Sequence, residues 1–325
     1  MRTLLTGMAL LSVGQAHLLL GQSKSANCVA KQYKIVPLPL QPARINDSGE
    51  VAGKTDSGQA AVWTERSGLQ KIRLPKGFRR AEAVSLNGAG DVVGLATDGD
   101  GGRRRAFLYA KGEVTLLPGE PSKAFAMDDT GVIAGESTVH GKAGTYPVLW
   151  QKQALVDLGA CCGGFASAIN QHGQVVGQTY DPQGRYHAFL WDRKSGLRMI
   201  GPPDEYSTAV AVNDSGYAAV QVLTQVFLYQ EGKLTRLSLS RDSPSQAYAM
   251  NNCDVVVGSF GPNSDEQRAF LWERSAGFVD LNQRIQAGSG WTLEVATSIN
   301  DKGEITGWGD HNRNDDSGFL LVPQW

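Results

Sequence analysis

The side chains of this chain that could do chemistry are scattered singly. Glu82, Lys123 and Glu294 offer acid, base or ion-pair groups, Phe165 and Trp291 offer faces on which a sugar or a side chain could stack, and Gln246 offers an amide. Catalysis needs several such groups held within hydrogen-bonding reach, and no GxSxG, HExxH or phosphate-loop spacing occurs where a strand and a helix would support it. The histidines beyond the N-terminal stretch, His140, His172, His187 and His311, share no metal-ligand spacing with one another or with a cysteine, so the sequence implies neither a zinc site nor any other cofactor. Asp98-Gly99-Asp100-Gly101 and the set Asp310, Asn312, Asn314, Asp315 and Asp316 partly match calcium loops. Neither has the full alternation ending in Glu, so both are read as solvated hairpin tips.

Lys and Arg total 31 against 32 Asp and Glu, a net charge of −1. A balanced chain has no general field with which to hold nucleic acid or an anionic membrane face, and the run Arg103-Arg104-Arg105 sits beside Asp98 and Asp100. The apolar stretch from Leu4 to Gly21, broken by Gly7, Gly14, Gln15 and His17, is too short and too interrupted to span a bilayer. It is read as part of a signal peptide within residues 1–26, which makes the protein secreted or periplasmic. Exported thiols usually end in disulfides, and four cysteines follow the stretch: Cys28, Cys161, Cys162 and Cys253.

What must position these groups is a repeat. An Asn or Asp that follows an aliphatic residue and precedes a turn recurs as Asn46, Asn87, Asp128, Asn170, Asn213, Asn251 and Asn300, at spacings of 38 to 49 residues. That is the length of four short strands with their turns, one propeller blade. Glycine at 39 of 325 residues and only 19% charged residues agree with many turns and few long helices. The copy from Ala166 to Gly201 reads as four strands in succession. A Gly three residues beyond the anchor (Asp254 in the sixth copy) suits the positive φ that ends a tight turn, and the Asx side chain caps that turn. Four residues further stands a second glycine, as in Gly53, Gly94, Gly135 and Gly177, with Val220 as the exception; a glycine within a strand implies close approach of another group. Four residues before the anchor stands an alanine, with Pro42 in the first copy, as a crowded buried strand requires.

The seventh copy ends after its third strand, at Gly318 to Trp325, while an unassigned strand from Tyr33 to Leu40 precedes the first copy. If that strand completes the last blade, seven four-stranded sheets close into a ring without a long open edge. The expected fold is therefore all-β, a single seven-bladed propeller over residues 33–323. The pattern AxxINxxGxVVG…AFLW…DLG, and the last copy with Gly290-Trp291, ATSINDKGEITGWG and FLLVP, resembles the HAF-repeat proteins, the probable extracellular repeat proteins. The resemblance implies an exported propeller of bacterial type and transfers no catalytic residue. It departs at Tyr217 to Val220, where a distorted blade edge is expected.

In an up-and-down blade the residues entering the first strand share one face with the tips between second and third strands, while the anchor turns open on the other. Position five before the anchor reads Gln41, Glu82, Lys123, Phe165, Thr208, Gln246 and Val295, whereas the anchor turns keep nearly one chemistry. Variation within a rigid repeat marks the surface released from packing. The expected ligand site is thus formed by Glu82, Lys123, Phe165, Gln246 and Glu294, with Trp291 as a wall. The function expected is a non-catalytic, monomeric module binding a glycan, cell-wall polymer or protein, with an envelope hydrolase or lyase as the alternative. The same topology puts Cys161-Cys162 and Cys253 on opposite faces, which favours a vicinal bridge or a Cys28 to Cys253 bridge over one across the disc.

Overall fold

The computed structural model describes residues 29–99, 102–237, 243–263 and 266–325; the proposed signal peptide and Cys28 lie outside them. The described residues form seven four-stranded antiparallel sheets. In the fourth blade the strands are Gly164–Ile169, Val175–Tyr180, Tyr186–Asp192 and Gly196–Met199, paired in sequence order. The turn between the first two is built as the sequence requires: Gly173 has φ 73° and the Asn170 side chain accepts from the backbone amides of His172 and Gln174 at 3.1 and 2.9 Å. In the sixth blade Asp254 takes the left-handed position at φ 63°.

The last sheet consists of Trp291–Ile299, Ile305–His311 and Asn314–Gln324 with Gln32–Leu38 as its outer strand. That strand pairs antiparallel to the C-terminal one, Tyr33 facing Pro323, Ile35 facing Leu321 and Leu38 facing Gly318. The ring is closed by the N-terminal strand.

Each hydrophobic core belongs to two blades rather than one. Leu38, Leu40 and Leu320 pack with Ile45, Val51 and Trp63 between the last blade and the first, and Ala166, Val175 and Phe189 of the fourth blade pack against Ala126, Ala134 and Leu149 of the third. The alanines four before the anchors are buried because the innermost strands converge on the axis, where a larger side chain would have to displace the next blade.

One feature of every innermost strand is absent from the alternation read in the sequence. The pairing with the second strand slips between the fourth and second residues before the anchor in all seven blades, leaving Ala43, Val84, Phe125, Ser167, Val210, Tyr248 and Thr297 as bulge residues. The bulge lays the carbonyl of the residue five before the anchor over the second-strand glycine. A Cβ on Gly94, Gly135, Gly177 or Gly258 would run into the carbonyl oxygen of Glu82, Lys123, Phe165 or Gln246 respectively. In the fifth blade the expected distortion does not occur, since Val220 pairs with Ala209 and the bulge is retained. The accommodation lies across the sheet instead: Phe227, opposite Val220, is half-exposed with Arg236 over its ring, whereas its counterparts Phe107, Phe189, Phe270 and Phe319 are fully buried.

Candidate functional site

The axial channel has two mouths of different construction. At the upper mouth, where the innermost strands begin, the strand Ser122–Met127 of the third blade and Gly164–Ile169 of the fourth bring Lys123, Phe125 and Phe165 together. The Phe125 and Phe165 rings lie 5.3 Å apart with a tilt of 33°, and the Lys123 ammonium sits 5.0 Å from the Phe125 centroid. All three are half-buried. Phe125 is a bulge residue and was not among the site residues expected from sequence. So is Tyr248, whose hydroxyl is pushed up in pKa by burial, against a hydrogen bond with Ser259.

The other expected residues fall into separate places around this rim. Glu82 lies 3.8 Å from Lys54, both side chains largely exposed, beside a cavity of about 410 Å³ lined also by Gln41, Asp56 and Arg80. Gln246 lines another, of about 300 Å³, with Gln221, Phe260 and Gln267. Glu294 occupies a second irregularity in the long strand Trp291–Ile299. Trp291, at that strand's outer end, stacks on His311 at 4.3 Å with the rings 6° from parallel and faces two further cavities beside residues 32–41 and 311–318. The strand is held there by Asn282, whose side chain exchanges hydrogen bonds with the Leu293 backbone at 2.8 and 2.9 Å.

The lower mouth is a hydrogen-bonded collar. The anchor that caps its own turn through Oδ1 also reaches the next blade through Nδ2: Asn46 to the Asn87 carbonyl at 2.9 Å, Asn170 to Asn213 at 2.8 Å, Asn251 to Asn300 at 3.0 Å, and Asn300 back to Asn46 at 3.0 Å. A second circle uses the next residue. The amides of Gly88, Asp129, Gln171, Asp214, Asn252 and Asp301 donate to the side chains of Asp129, Gln171, Asp214, Asn252, Asp301 and Asp47 at 2.7 to 3.0 Å. The rim carboxylates are thereby used as staples between blades. The collar surrounds a cavity of about 200 Å³, lined by Asp47, Asp129, Asp214 and Asp301 of the rim and, further in, by the partly buried Arg44 with Ser85, Ala126, Ala168 and Ala211. Arg44 was not singled out in sequence, although it interrupts a column of serine and alanine two places before the anchors.

Cys253 is disulfide-bonded, while its expected partner Cys28 lies outside the described residues. The vicinal bridge is not formed: Cys161 and Cys162 are free thiols with their sulfurs 2.6 Å apart, and Cys162 has its pKa raised by its hydrogen bond to Cys161. The tip of the same blade is ordered by Asp181. Its carboxyl is pushed up by burial but held down at about 2 by the amides of Arg185 and Gln183 and the side chains of His187 and Arg185. Arg103 and Arg105 both bond Glu120, which keeps that carboxyl below its usual range, so much of the basic run is neutralised in place. Among the described residues no group of three His, Cys, Asp or Glu could hold a metal ion, and no helix is long and apolar enough to cross a membrane.

Fold and channel define a closed seven-bladed β-propeller. The chain belongs to the family described as protein of unknown function DUF3466, whose model matches residues 120–320, within the third to seventh blades. This corrects the resemblance to the HAF-repeat proteins, whose family is not the one matched. Comparison with the curated proteins finds no match. Among solved structures, virginiamycin B lyase from Staphylococcus aureus is similar with TM-score 0.55 and 11% identity over 90% of this chain and all of that one. A puromycin-hydrolyzing peptidase from Mycobacterium tuberculosis gives TM-score 0.55 and 11% identity over 91% of this chain and 55% of that one. The β-propeller domain of the Trilobed protease from Pyrococcus furiosus gives 0.54 and 12% over 75% and 82%. At such identities the likeness is one of fold alone. The last is described as having an open velcro topology, whereas here residues 32–38 close the final blade.

Proposed function

We propose that the protein is an exported, monomeric, non-catalytic binding module that seats a glycan, a cell-wall polymer or a protein on its upper mouth. The observation that carries this reading is the cluster of Lys123, Phe125 and Phe165 on two adjacent innermost strands. Two aromatic rings and an ammonium held by a rigid scaffold suit a ligand that offers a flat or apolar face beside a hydrogen-bond acceptor. Glycines 135 and 177 fix the backbone of Lys123 and Phe165, so little ordering is needed when a ligand arrives. Export is supported by the apolar stretch from Leu4 to Gly21 and by the disulfide at Cys253, which belongs in an oxidising compartment.

The test is a glycan array and a cell-wall pull-down with the chain from Ala26 onward, followed by calorimetry on the ligand found. Lys123→Ala and Phe165→Ala should each weaken binding at least ~10-fold, a loss of about 1.4 kcal/mol. Affinity retained in both, with loss instead on replacing the lower-rim Asp214, would place the site on the opposite face and overturn the reading.

A further inference from the structure

Among the described residues seven large apolar side chains are exposed, and four of them, Tyr180, Tyr186, Tyr206 and Leu223, meet in one place. Tyr180 and Tyr186 are a cross-strand pair at the tip of the fourth blade, the Tyr186 and Tyr206 rings lie 4.7 Å apart with a tilt of 34°, and the Leu223 amide donates to the Tyr206 carbonyl at 3.1 Å. The patch runs without a break from that tip, across the residues that enter the fifth blade ahead of Ser207–Val212, to the tip that follows Ala218–Val222. These segments share the upper face with Lys123, Phe125 and Phe165 but include none of them.

Leu223 is the informative member. With Thr224 it makes the two-residue turn between Ala218–Val222 and Gln225–Gln230, at φ 50°, a conformation that suits glycine, and it is 57% exposed. Neither the turn nor a core asks for leucine there, so an apolar group is held outward against the preference of its own backbone. Beside it opens the cavity of about 300 Å³, whose lining, with Gln221, Gln246, Phe260 and Gln267, contains no charged residue. Asp204 and Glu205, directly before Tyr206, are exposed and form no ion pair among the described residues, whereas Asp181, directly after Tyr180, is taken up by Arg185 and His187.

The patch thus combines tyrosine faces, an apolar knob beside an uncharged socket, and two unanswered carboxylates. A protruding leucine gives a flat sugar ring little, but it suits the side chains of a polypeptide, as do tyrosines in protein interfaces. The carboxylates select a cationic side chain, and a guanidinium can stack on a tyrosine face while pairing with them. We propose that this arc of the fourth and fifth blades docks a basic peptide segment of a protein partner. Its arginine or lysine lies over Tyr186 and Tyr206 beside Asp204 and Glu205, and an apolar residue enters the socket beside Leu223. The proposal is independent of what the upper mouth itself binds.

Panning a phage library of short random peptides on the parent protein should enrich sequences in which Arg or Lys stands close to Leu, Phe or Pro. Calorimetry with the tightest of these peptides should show binding that weakens with salt and falls at least ~10-fold in Tyr206→Ala and in Leu223→Gly. Leu223→Gly carries the decision, since glycine relieves the turn: it should melt no lower than the parent while losing the peptide, which a merely structural leucine would not do. Replacing Asp204 and Glu205 together by Asn and Gln should weaken binding and remove most of its salt dependence, while Lys123→Ala and Phe165→Ala should leave it intact. Enrichment of no basic peptide would overturn the proposal, as would peptides held equally well by Tyr206→Ala and Leu223→Gly. Parent dimers that Tyr206→Ala dissociates would assign the patch to a second copy and overturn it too. Loss of the peptide in Lys123→Ala or Phe165→Ala would move it to the upper mouth, against a separate surface.

Discussion

The anchor residue does two jobs, of which the sequence displays one. That Asn caps a turn follows from its type and from the glycine three later; that its amide also staples the next blade follows from a ring no local pattern reveals. The distinction is testable at the third blade, where Asp128 caps Thr130 and Val132 but has no amide hydrogen to donate to Asn170. Asp128→Asn should supply the missing staple and raise stability by up to about 1 kcal/mol in urea denaturation, whereas Asn170→Asp should lose one and cost roughly 1–3 kcal/mol. Asp181 gives a pH prediction. Its folded pKa, about 2, is below the unfolded value near ~3.9, so its contribution is complete above the unfolded value and is lost as pH falls through the folded one. Amide exchange at residues 183–187 should therefore lose protection from about pH 4 to pH 2, with Asp181→Ala, which has no acceptor for the Gln183 and Arg185 amides, already unprotected at pH 6. Arg44 was legible as the odd member of a small-residue column, but its place in the cavity follows only from knowing that the column meets the axis.

The strand order and the turns of each blade were legible because glycine and Asx positions have few other uses, whereas the bulge was not: an unpaired residue has no type of its own, and the seven bulge residues range from Ala43 to Tyr248. Missing it hid Phe125 and left the second-strand glycine explained only as a close approach. The identity of the approaching group now gives that glycine a sharper consequence. Gly177→Ala should press on the Phe165 carbonyl and the Phe189 ring, costing roughly 1–3 kcal/mol and shifting Phe165 at the upper mouth. The crowding at the alanine column gives a parallel expectation: Ala166→Leu should cost a similar ~1–3 kcal/mol in denaturant midpoint, and Gln183→Leu at the exposed tip close to nothing. Equal effects at the two sites would contradict the packing described.

At the scale of the ring, the same physics explains why the family resemblance misled. A small residue where inner strands converge, an aliphatic before the anchor and paired glycines around it are what any tightly closed propeller of this type asks for, so they report the architecture more faithfully than the lineage. Closure was legible for a different reason: a strand missing at one end and a spare strand at the other have one economical joint solution. Because every core is shared by two blades, the joint between first and last blades carries the same packing as the rest, with Leu38, Leu40 and Leu320 against Ile45 and Trp63. Deleting Tyr33 to Leu40 removes the outer strand from Gly318–Gln324 and two of those leucines together. The chain should then melt many degrees lower, since losing two buried leucines alone costs on the order of 4–10 kcal/mol, and the bared edge should drive association between molecules. Scanning calorimetry with light scattering measures both effects. A deletion variant that melts with the parent and stays monomeric would mean that the ring does not depend on this strand, and the closed architecture would have to be abandoned in favour of one held by the collar and the other six interfaces.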